Sequence, residues 1–261
     1  MSAAEGWLKI VGLGPGNADY LTLQAMEALG EATDLVGYGP YVDRLPQRDG
    51  QTRHASDNRV EVTRAREALD LALAGRKVAV VSGGDPGIFA MAAAVFEAIE
   101  AGDPAWRALQ IDVIPGISAM QAAAARLGAM LGGDFATISL SDNLKPWDVI
   151  TTRLLAAASA DFVLAFYNPA SKARPGRIFD AFALLRSVKP PETMVVFARA
   201  VGRPEEKITV TTLAEADPGV VDMATLVFIG SSQSRRLPRA EPGAADWVYT
   251  RRSVPVESVE P

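Results

Sequence analysis

The stretch IVGLGPGNADYLTLQAMEAL, residues 10–29, reads as an apolar strand that turns through three glycines into a helix. A glycine-rich turn between a strand and a helix commonly binds phosphate through the free backbone N–H groups at the helix start. Here Pro15 stands among Gly12, Gly14 and Gly16, and proline has no N–H to donate. The stretch therefore predicts an α/β fold, but it leaves open whether the turn binds a ligand or only reverses the chain.

Two known phosphate-binding fingerprints do not fit this turn. The dinucleotide fingerprint requires a glycine where Asn17 stands and an acidic residue at the end of the second strand. Asp34 stands at the start of that strand, DLVGY, instead of closing it. No Lys-Ser or Lys-Thr pair follows the turn, so the P-loop pattern is absent as well. An NAD-dependent oxidoreductase is therefore disfavoured.

The amino-acid composition limits which catalytic groups and ligand sites the chain can form. The 261 residues are 49% apolar, carry a formal net charge of −5, and include no cysteine and one histidine. Without cysteine there are no disulfides or thiolate nucleophiles, and the lone His54 argues against a catalytic triad or a multi-histidine metal site. We expect a small-molecule ligand and no metal. We place His54 in an exposed loop, with a metal or proton-transfer role as the less favoured alternative.

The charge and the apolar pattern also bear on partners and location. An acidic chain gives no sign of a nucleic-acid footprint. No apolar run approaches the length of a membrane span, and the start MSAAEGWLKIVG lacks the features of a secretory signal. We expect a soluble cytoplasmic protein that binds neither nucleic acid nor membrane.

Short apolar runs alternate with helical patterns through the first half of the chain, which predicts a mostly parallel sheet. The alternation restarts near PGISA, residues 115–119, and the last predicted strands have short connections that favour antiparallel pairing. We therefore predict an N-terminal α/β lobe over residues 1–115 and a C-terminal lobe with a mixed sheet over 116–252. A flexible tail is predicted over residues 253–261.

Two further turns join strands to helices. SGGDPGIF, residues 82–89, contains Asp85, which we place at a helix start where the helix dipole favours an anion. IPGISAM, residues 114–120, offers the Ser118 hydroxyl. Both side chains could equally be helix caps. Because Asp85 already fills the place of a phosphate, the turns suit hydroxyls or a cation, as in the nucleoside S-adenosylmethionine.

A basic segment follows a buried strand. FYNPASKARPGR, residues 166–177, contains Lys172, Arg174 and Arg177 in an otherwise acidic chain. Loops at the ends of strands often carry sites, and arginine binds carboxylates through a planar fork. We interpret these residues, together with Arg199 and Arg203, as a clamp for an anionic substrate. Ordinary solvated loop charge is the alternative.

These motifs together resemble the tetrapyrrole methylase family, the class III S-adenosylmethionine-dependent methyltransferases. VGLGPGNADYLTLQA, SGGDPGIF and IPGISA are similar to its three signatures, in the family's order, and the resemblance extends over residues 7–235. VGYGPYVDRL, SGGDPGIFAMA and FYNPASKARPGR are similar to one branch of the family. That branch methylates C-17 of precorrin-3B and contracts the macrocycle to precorrin-4 in cobalamin biosynthesis.

The resemblance implies two αβα lobes with S-adenosylmethionine in the cleft between them, S-adenosylhomocysteine as the product, and a homodimer. It also implies that the first glycine turn binds no phosphate. Asn168 stands where many relatives have methionine, and Ala200 where many have glycine. The cofactor contacts carried over are Pro15, Gly83, Gly84, Asp85, Ile88, Ser118, Ala119, Asn168, Ala200 and Thr225.

The implied reaction passes a methyl group from a sulfonium to a ring carbon and needs no side-chain nucleophile. Ring contraction also requires proton transfers, for which Asp85, Tyr167 and Arg174 are candidates on chemistry alone. Lys172, Arg174, Arg177 and Arg199 would bind the carboxylates of the tetrapyrrole. A cobalt-bearing substrate or a neighbouring ring position is the closest alternative. A nucleotide-sensing module without catalysis is the alternative outside the enzymes.

Overall fold

The computed structural model describes residues 6–57, 60–170, 175–241 and 245–254. The contacts divide the chain into two compact units, Met1–Ala119 and Met120–Pro261. Lys172 and Arg174 of the predicted clamp, and all but the first two residues of the predicted tail, lie outside the described residues. The domain bounds expected from the sequence remain a prediction.

Unit 1 is built on a five-stranded sheet in which every pairing is parallel, in the order β3-β2-β4-β1-β5. The strands are β1 Trp7–Gly12, β2 Asp34–Tyr38, β3 Thr52–Ser56, β4 Lys77–Ser82 and β5 Gln110–Ile114. The three central strands, β2, β4 and β1, bury apolar side chains on both faces, as the near-continuous apolar runs predict. Because the strands are parallel, their carboxyl ends share one edge, where sheets of this type bind ligands.

The helices of unit 1 are α1 Leu23–Glu31, α2 Gly39–Val42, α3 Glu61–Leu73 and α4 Met91–Ala101. Thr22 begins α1 as its cap, because its hydroxyl accepts a hydrogen bond from Ala25 N at 3.1 Å. Leu23 and Met26 are exposed, and the buried residues are Leu29 and two alanines.

Unit 2 carries a mixed five-stranded sheet in the order β10-β9-β11-β8-β7. Only β7 and β8 pair in parallel, so the predicted antiparallel pairing of the later strands is confirmed. The strands are β7 Phe135–Ser139, β8 Val163–Tyr167, β9 Met194–Arg199, β10 Lys207–Thr212 and β11 Thr225–Ile229. A smaller sheet combines β12 Ser234–Leu237, β13 Trp247–Thr250 and β6 Gly128–Ala129.

The remaining helices are α5 Ala119–Leu127, α6 Trp147–Ser159 and α7 Arg177–Val188. The core of unit 2 forms where α6 and α7 pack on the mixed sheet, with Phe166 and Phe182 fully buried. Within the described ranges, the helices are all too short or too polar to cross a membrane.

Candidate active site

The three glycine turns of unit 1 come together at the carboxyl edge of its sheet. Gly14 and Gly84 exchange backbone hydrogen bonds of 3.2 and 2.9 Å, and both have a φ of +68°. A β-carbon added at Gly116 would lie 2.3 Å from Gly84 O and 2.9 Å from Gly12 Cα. Glycine is therefore required at positions 14 and 84 by backbone conformation, and at position 116 by the close approach of the three turns.

The first turn is organised through its carbonyl groups. The Arg44 guanidinium donates to the carbonyl oxygens of Leu13 at 3.1 Å, Gly14 at 3.3 Å and Gly16. Pro15, which lies among them, is buried. The turn thus presents oxygen atoms to a cation, where a phosphate loop would present N–H groups to an anion.

The second turn differs from its prediction. We expected Asp85 at a helix start, but α4 begins six residues later, at Met91. The dipole effect falls off within the first turn of a helix, so that argument was wrong. Instead the Asp85 carboxylate accepts hydrogen bonds from Gly87 N at 2.8 Å and Gly116 N at 3.0 Å. Asp85 therefore joins the second turn to the third.

The other predicted cofactor residues of unit 1 lie on the same turns. Ser118 is 1% exposed and directly precedes α5. Ile88 is half-buried, and the neighbouring Phe89 has a φ of +52°, which is unusual for a bulky side chain. Tyr41 packs against Gly83, where a β-carbon would lie 2.7 Å from the ring.

Unit 2 brings its predicted site residues to one edge of the mixed sheet. Ser139 at the end of β7 pairs with Tyr167 at the end of β8, and Thr225 at the start of β11 pairs with Arg199 at the end of β9. Asn168 and Ala200 follow these strand ends directly. The edge therefore gathers Tyr167, Asn168, Arg199, Ala200 and Thr225.

Hydrogen bonds orient the residues of this edge. Tyr167 Oη accepts a hydrogen bond from Met120 N at 3.1 Å. Asn168 has a φ of +51°, and its Nδ2 donates to Ser139 Oγ at 3.0 Å. Asparagine tolerates this left-handed conformation better than most residues. Ala200, also with a φ of +51°, is held by a bond from its N–H to a carbonyl oxygen at 2.9 Å.

Asp222 links Thr225 to Arg199. The buried Thr225 donates its hydroxyl to Asp222 at 2.7 Å, and Arg199 Nε donates to the other carboxylate oxygen at 2.8 Å. Burial acts to raise the pKa of Asp222, but the hydrogen bonds from Thr225 and Arg199 outweigh it and hold the pKa below its usual value. Asp222 is therefore a carboxylate that fixes both neighbours.

Arg177 is also tied to carboxylates. Its guanidinium lies 2.7 Å from Asp142 and 3.3 Å from Asp180, and it stacks 4.6 Å from the centre of the Trp147 ring. The hydrogen bond to Asp142 raises the pKa of Arg177. Arg177 and Arg199 of the predicted clamp are thus anchored by acids and remain partly exposed. Arg203, the third described arginine of the predicted clamp, is exposed.

His54 was placed wrongly by the sequence analysis. It lies in β3 and not in a loop, and it is half-buried. Its Nε2 lies 2.9 Å from Asp34 Oδ1 and its Nδ1 lies 3.2 Å from Glu67. Asp34 is 2% exposed and also accepts a hydrogen bond from Arg76 at 2.7 Å. Within the described residues, no cluster of three or more His, Asp or Glu side chains could hold a metal ion.

Four residues that contact predicted site residues were not themselves predicted: Arg44, Tyr41, Ser139 and Asp222. A signal existed for two of them, because Tyr41 and Arg44 stand in VGYGPYVDRL, which the sequence analysis singled out without giving its residues a role. Ser139 and Asp222 carried no comparable signal, since only the register of the sheet brings them to Asn168 and Thr225.

The fold and its turns are similar to those of a methyltransferase of known structure. The chain superposes on the crystal structure of the methyltransferase CobJ with a TM-score of 0.89 and 50% identity, covering 94% of this chain and 100% of that one. The profile of the Tetrapyrrole (Corrin/Porphyrin) Methylases matches residues 8–217. The chain therefore belongs to the tetrapyrrole methylase family and is an S-adenosylmethionine-dependent methyltransferase.

Two relatives are similar to this chain over most of the length of both proteins. The chain is 56% identical over 247 residues to a precorrin-3B C(17)-methyltransferase of Sinorhizobium sp, covering 95% of this chain and 96% of that protein. It is 41% identical over 227 residues to a probable cobalt-factor III C(17)-methyltransferase of Salmonella typhimurium, covering 86% and 92% respectively.

Proposed function

We propose that this enzyme methylates precorrin-3B at C-17 and takes part in the ring contraction that yields precorrin-4 in cobalamin biosynthesis. The full-length similarity to the Sinorhizobium enzyme supports this assignment. That similarity, 56% identity over nearly the whole of both chains, is the observation that carries the assignment. The interlocked edge of unit 1, in which Asp85 joins the second turn to the third and Arg44 binds the first, supports a cofactor without a phosphate. The direct test is transfer of labelled methyl from S-adenosylmethionine to purified precorrin-3B.

The donor groups at the predicted cofactor positions fit a nucleoside with an amino-acid end. They are main-chain groups, the Ser118 and Thr225 hydroxyls and the Asn168 amide, with Asp85 as the one charged group. Neutral donors and a carboxylate suit hydroxyls and a cation better than phosphate. We propose that the cofactor contacts are Pro15, Gly83, Gly84, Asp85, Ile88, Ser118, Ala119, Asn168, Ala200 and Thr225.

When bound, S-adenosylmethionine supplies an electrophilic methyl group on a sulfonium. The protein's contribution is to hold and orient the reactants, which can lower a barrier by up to ~7–11 kcal/mol. The hydrogen bonds to Asn168 and Thr225 keep these side chains in one orientation before anything binds. Such preorganisation is how a site without a side-chain nucleophile accelerates transfer.

Two described residues are proposed to move protons during ring contraction. Tyr167 Oη accepts an N–H from Met120, which stabilises the oxygen after proton loss and suits a proton donor. The Asp85 carboxylate is the second candidate, as a proton acceptor, although its two oxygens already accept N–H groups from Gly87 and Gly116. Arg174 remains a third proposal, from the sequence alone.

We propose that Arg177 and Arg199, with Lys172 and Arg174, bind carboxylates of the tetrapyrrole. Asp142 and Asp222 orient the two described guanidinium groups without burying them. We expect Arg177→Ala to raise the KM for the tetrapyrrole about tenfold, a change of about 1.4 kcal/mol. The Kd for S-adenosylhomocysteine should stay within about twofold. An equal loss of affinity for both ligands would show that Arg177 is not part of the carboxylate-binding clamp.

The similarity to the Salmonella protein favours a second candidate, a cobalt-bearing substrate with methylation at the same carbon. Parallel assays with precorrin-3B and with its cobalt-containing counterpart decide between the two. Tight binding of S-adenosylmethionine without methylation of either substrate would instead support a nucleotide-sensing module.

We further propose that the enzyme is a homodimer, as the family resemblance implies, and that it works in the cytoplasm, where S-adenosylmethionine is made. Light scattering during gel filtration tests the first proposal, since a monomer mass at working concentration would contradict it. Cell fractionation tests the second.

A further inference from the structure

The segment after β2 holds the first glycine turn. Arg44 stands two residues beyond α2 and donates to three carbonyl oxygens of the turn, those of Leu13, Gly14 and Gly16. It is half-buried. Leu13 N and Gly14 N, in turn, bond to the carbonyl oxygens of Ser82 and Gly84. The turn is therefore held by Arg44 through three carbonyl groups, and by the second glycine turn through two N–H groups and the Gly14 carbonyl.

Three carbonyl oxygens that converge on one point repel each other unless a cation lies between them. A guanidinium is suited to this task because it is always charged and offers five donors in a fixed plane. Pro15 stands between the Gly14 and Gly16 carbonyls that Arg44 binds. The residues on both sides of the proline are therefore held by a side chain that lies 29 residues further along the chain than Pro15.

Arg44 itself is held in place by its neighbours. Arg53 donates to the carbonyl oxygens of Val42 at 3.0 Å and Leu45 at 2.8 Å, on either side of Arg44. Tyr41 packs against Gly83 of the second turn. The short segment 39–45 thus contacts two of the turns that carry predicted cofactor residues.

We infer that Arg44 is a positioning residue for S-adenosylmethionine, acting through Pro15 and the first glycine turn. This inference rests on the proposed cofactor contacts. Loss of the guanidinium leaves three carbonyl groups without their common cation, so the turn relaxes and the cofactor loses a preformed wall. The cofactor affinity should fall, while the chemistry of the bound complex changes little.

The test compares Arg44→Ala and Arg44→Lys with wild type by calorimetry with S-adenosylhomocysteine. We expect at least a tenfold rise in Kd for Arg44→Ala and a smaller rise for Arg44→Lys, which keeps the charge but not the fork. The matched control is Arg186→Ala, because Arg186 also donates to two carbonyl oxygens, those of Leu213 and Ala216, within unit 2. That control should leave Kd unchanged.

Steady-state kinetics give the second readout. The KM for S-adenosylmethionine should rise with Arg44→Ala, and kcat at saturating cofactor should stay within about threefold. An unchanged Kd in Arg44→Ala, or an equal rise in Arg186→Ala, would overturn the inference. If Arg44→Ala does not fold, Arg44→Lys decides on the same criteria.

The titration needs no tetrapyrrole, so its outcome is separate from the identity of the substrate. If Arg44→Ala weakens the binding of S-adenosylhomocysteine but the wild-type protein leaves precorrin-3B unmethylated, the proposed function is refuted and this inference is retained.

Discussion

Backbone strain coincides with the predicted site. Phe89, Asn168 and Ala200 all have a φ near +50°, and each lies on a segment that the sequence analysis assigned to cofactor binding. Among the described residues other than glycine, Asp161 is the fourth with positive φ. Such residues cost about 1–3 kcal/mol each and persist where the surrounding structure imposes them. The strained residues thus support the choice of segments independently of the motifs.

Ala200 offers a direct measurement of this strain. We expect Ala200→Gly to destabilise the protein less than Ala198→Gly by about 1 kcal/mol. Both substitutions remove a buried methyl group, but only Ala200 has a positive φ, which glycine adopts freely. Urea unfolding of both variants measures the difference. A larger loss in Ala200→Gly would show that position 200 is not strained.

Asp34 contributes to the dependence of the fold's stability on pH in the acid range. Burial raises its pKa, but hydrogen bonds from Arg76, Thr33 and His54 outweigh burial and hold the pKa below its usual value. Because the folded pKa lies below the unfolded value of about 3.9, this carboxylate stabilises the fold above that pH. The contribution is lost as the pH falls toward the folded pKa.

We therefore expect Asp34→Asn to lower the free energy of unfolding by about 1.5–3 kcal/mol at neutral pH. The gap between wild type and variant should stay constant above about pH 5 and shrink below about pH 4. Urea titrations across this range provide the measurement. A gap that widens in acid would contradict the assigned direction of the pKa shift.

At the scale of elements, the proposed cofactor site depends in unit 1 on the interlocking of the glycine turns. We expect Gly116→Ala to cost about 1–3 kcal/mol of stability, because the new methyl would overlap Gly84 O and the Gly12 backbone. Cofactor affinity should fall at least tenfold with it. The control is Gly39→Ala, since no atom lies within 4 Å of the added carbon.

Thermal unfolding and S-adenosylhomocysteine binding check both glycine variants. The Gly39→Ala variant should match wild type within about 0.5 kcal/mol. If both variants behave alike, the close packing of the turns does not determine the site.

Much of this element structure could be predicted from the sequence, and the failures have physical causes. The apolar runs of β1, β4 and β8 and the cap at Thr22 are local signals, so these elements were predictable. β3 was missed because its exposed and half-buried residues lack an apolar pattern, and that error misplaced His54. Likewise, no local pattern could show that Asp85 bonds to Gly116, 31 residues away.

At the scale of the whole molecule, an acidic chain is proposed to bind a substrate with many carboxylates. The net charge of −5 opposes such binding, so the local placement of Arg177 and Arg199 has to overcome it. Asp142 and Asp222 reduce the local positive charge but fix the direction of both guanidinium groups. Specific recognition is thus favoured over general attraction of anions.

The structure of the product tests the proposed reaction most directly. Purified enzyme is incubated with S-adenosylmethionine and precorrin-3B, and the product is analysed by mass spectrometry and carbon NMR. We predict a gain of one methyl group, located at C-17, on a contracted macrocycle. A product methylated at another carbon, or methylation only when the substrate carries cobalt, would contradict the proposed function.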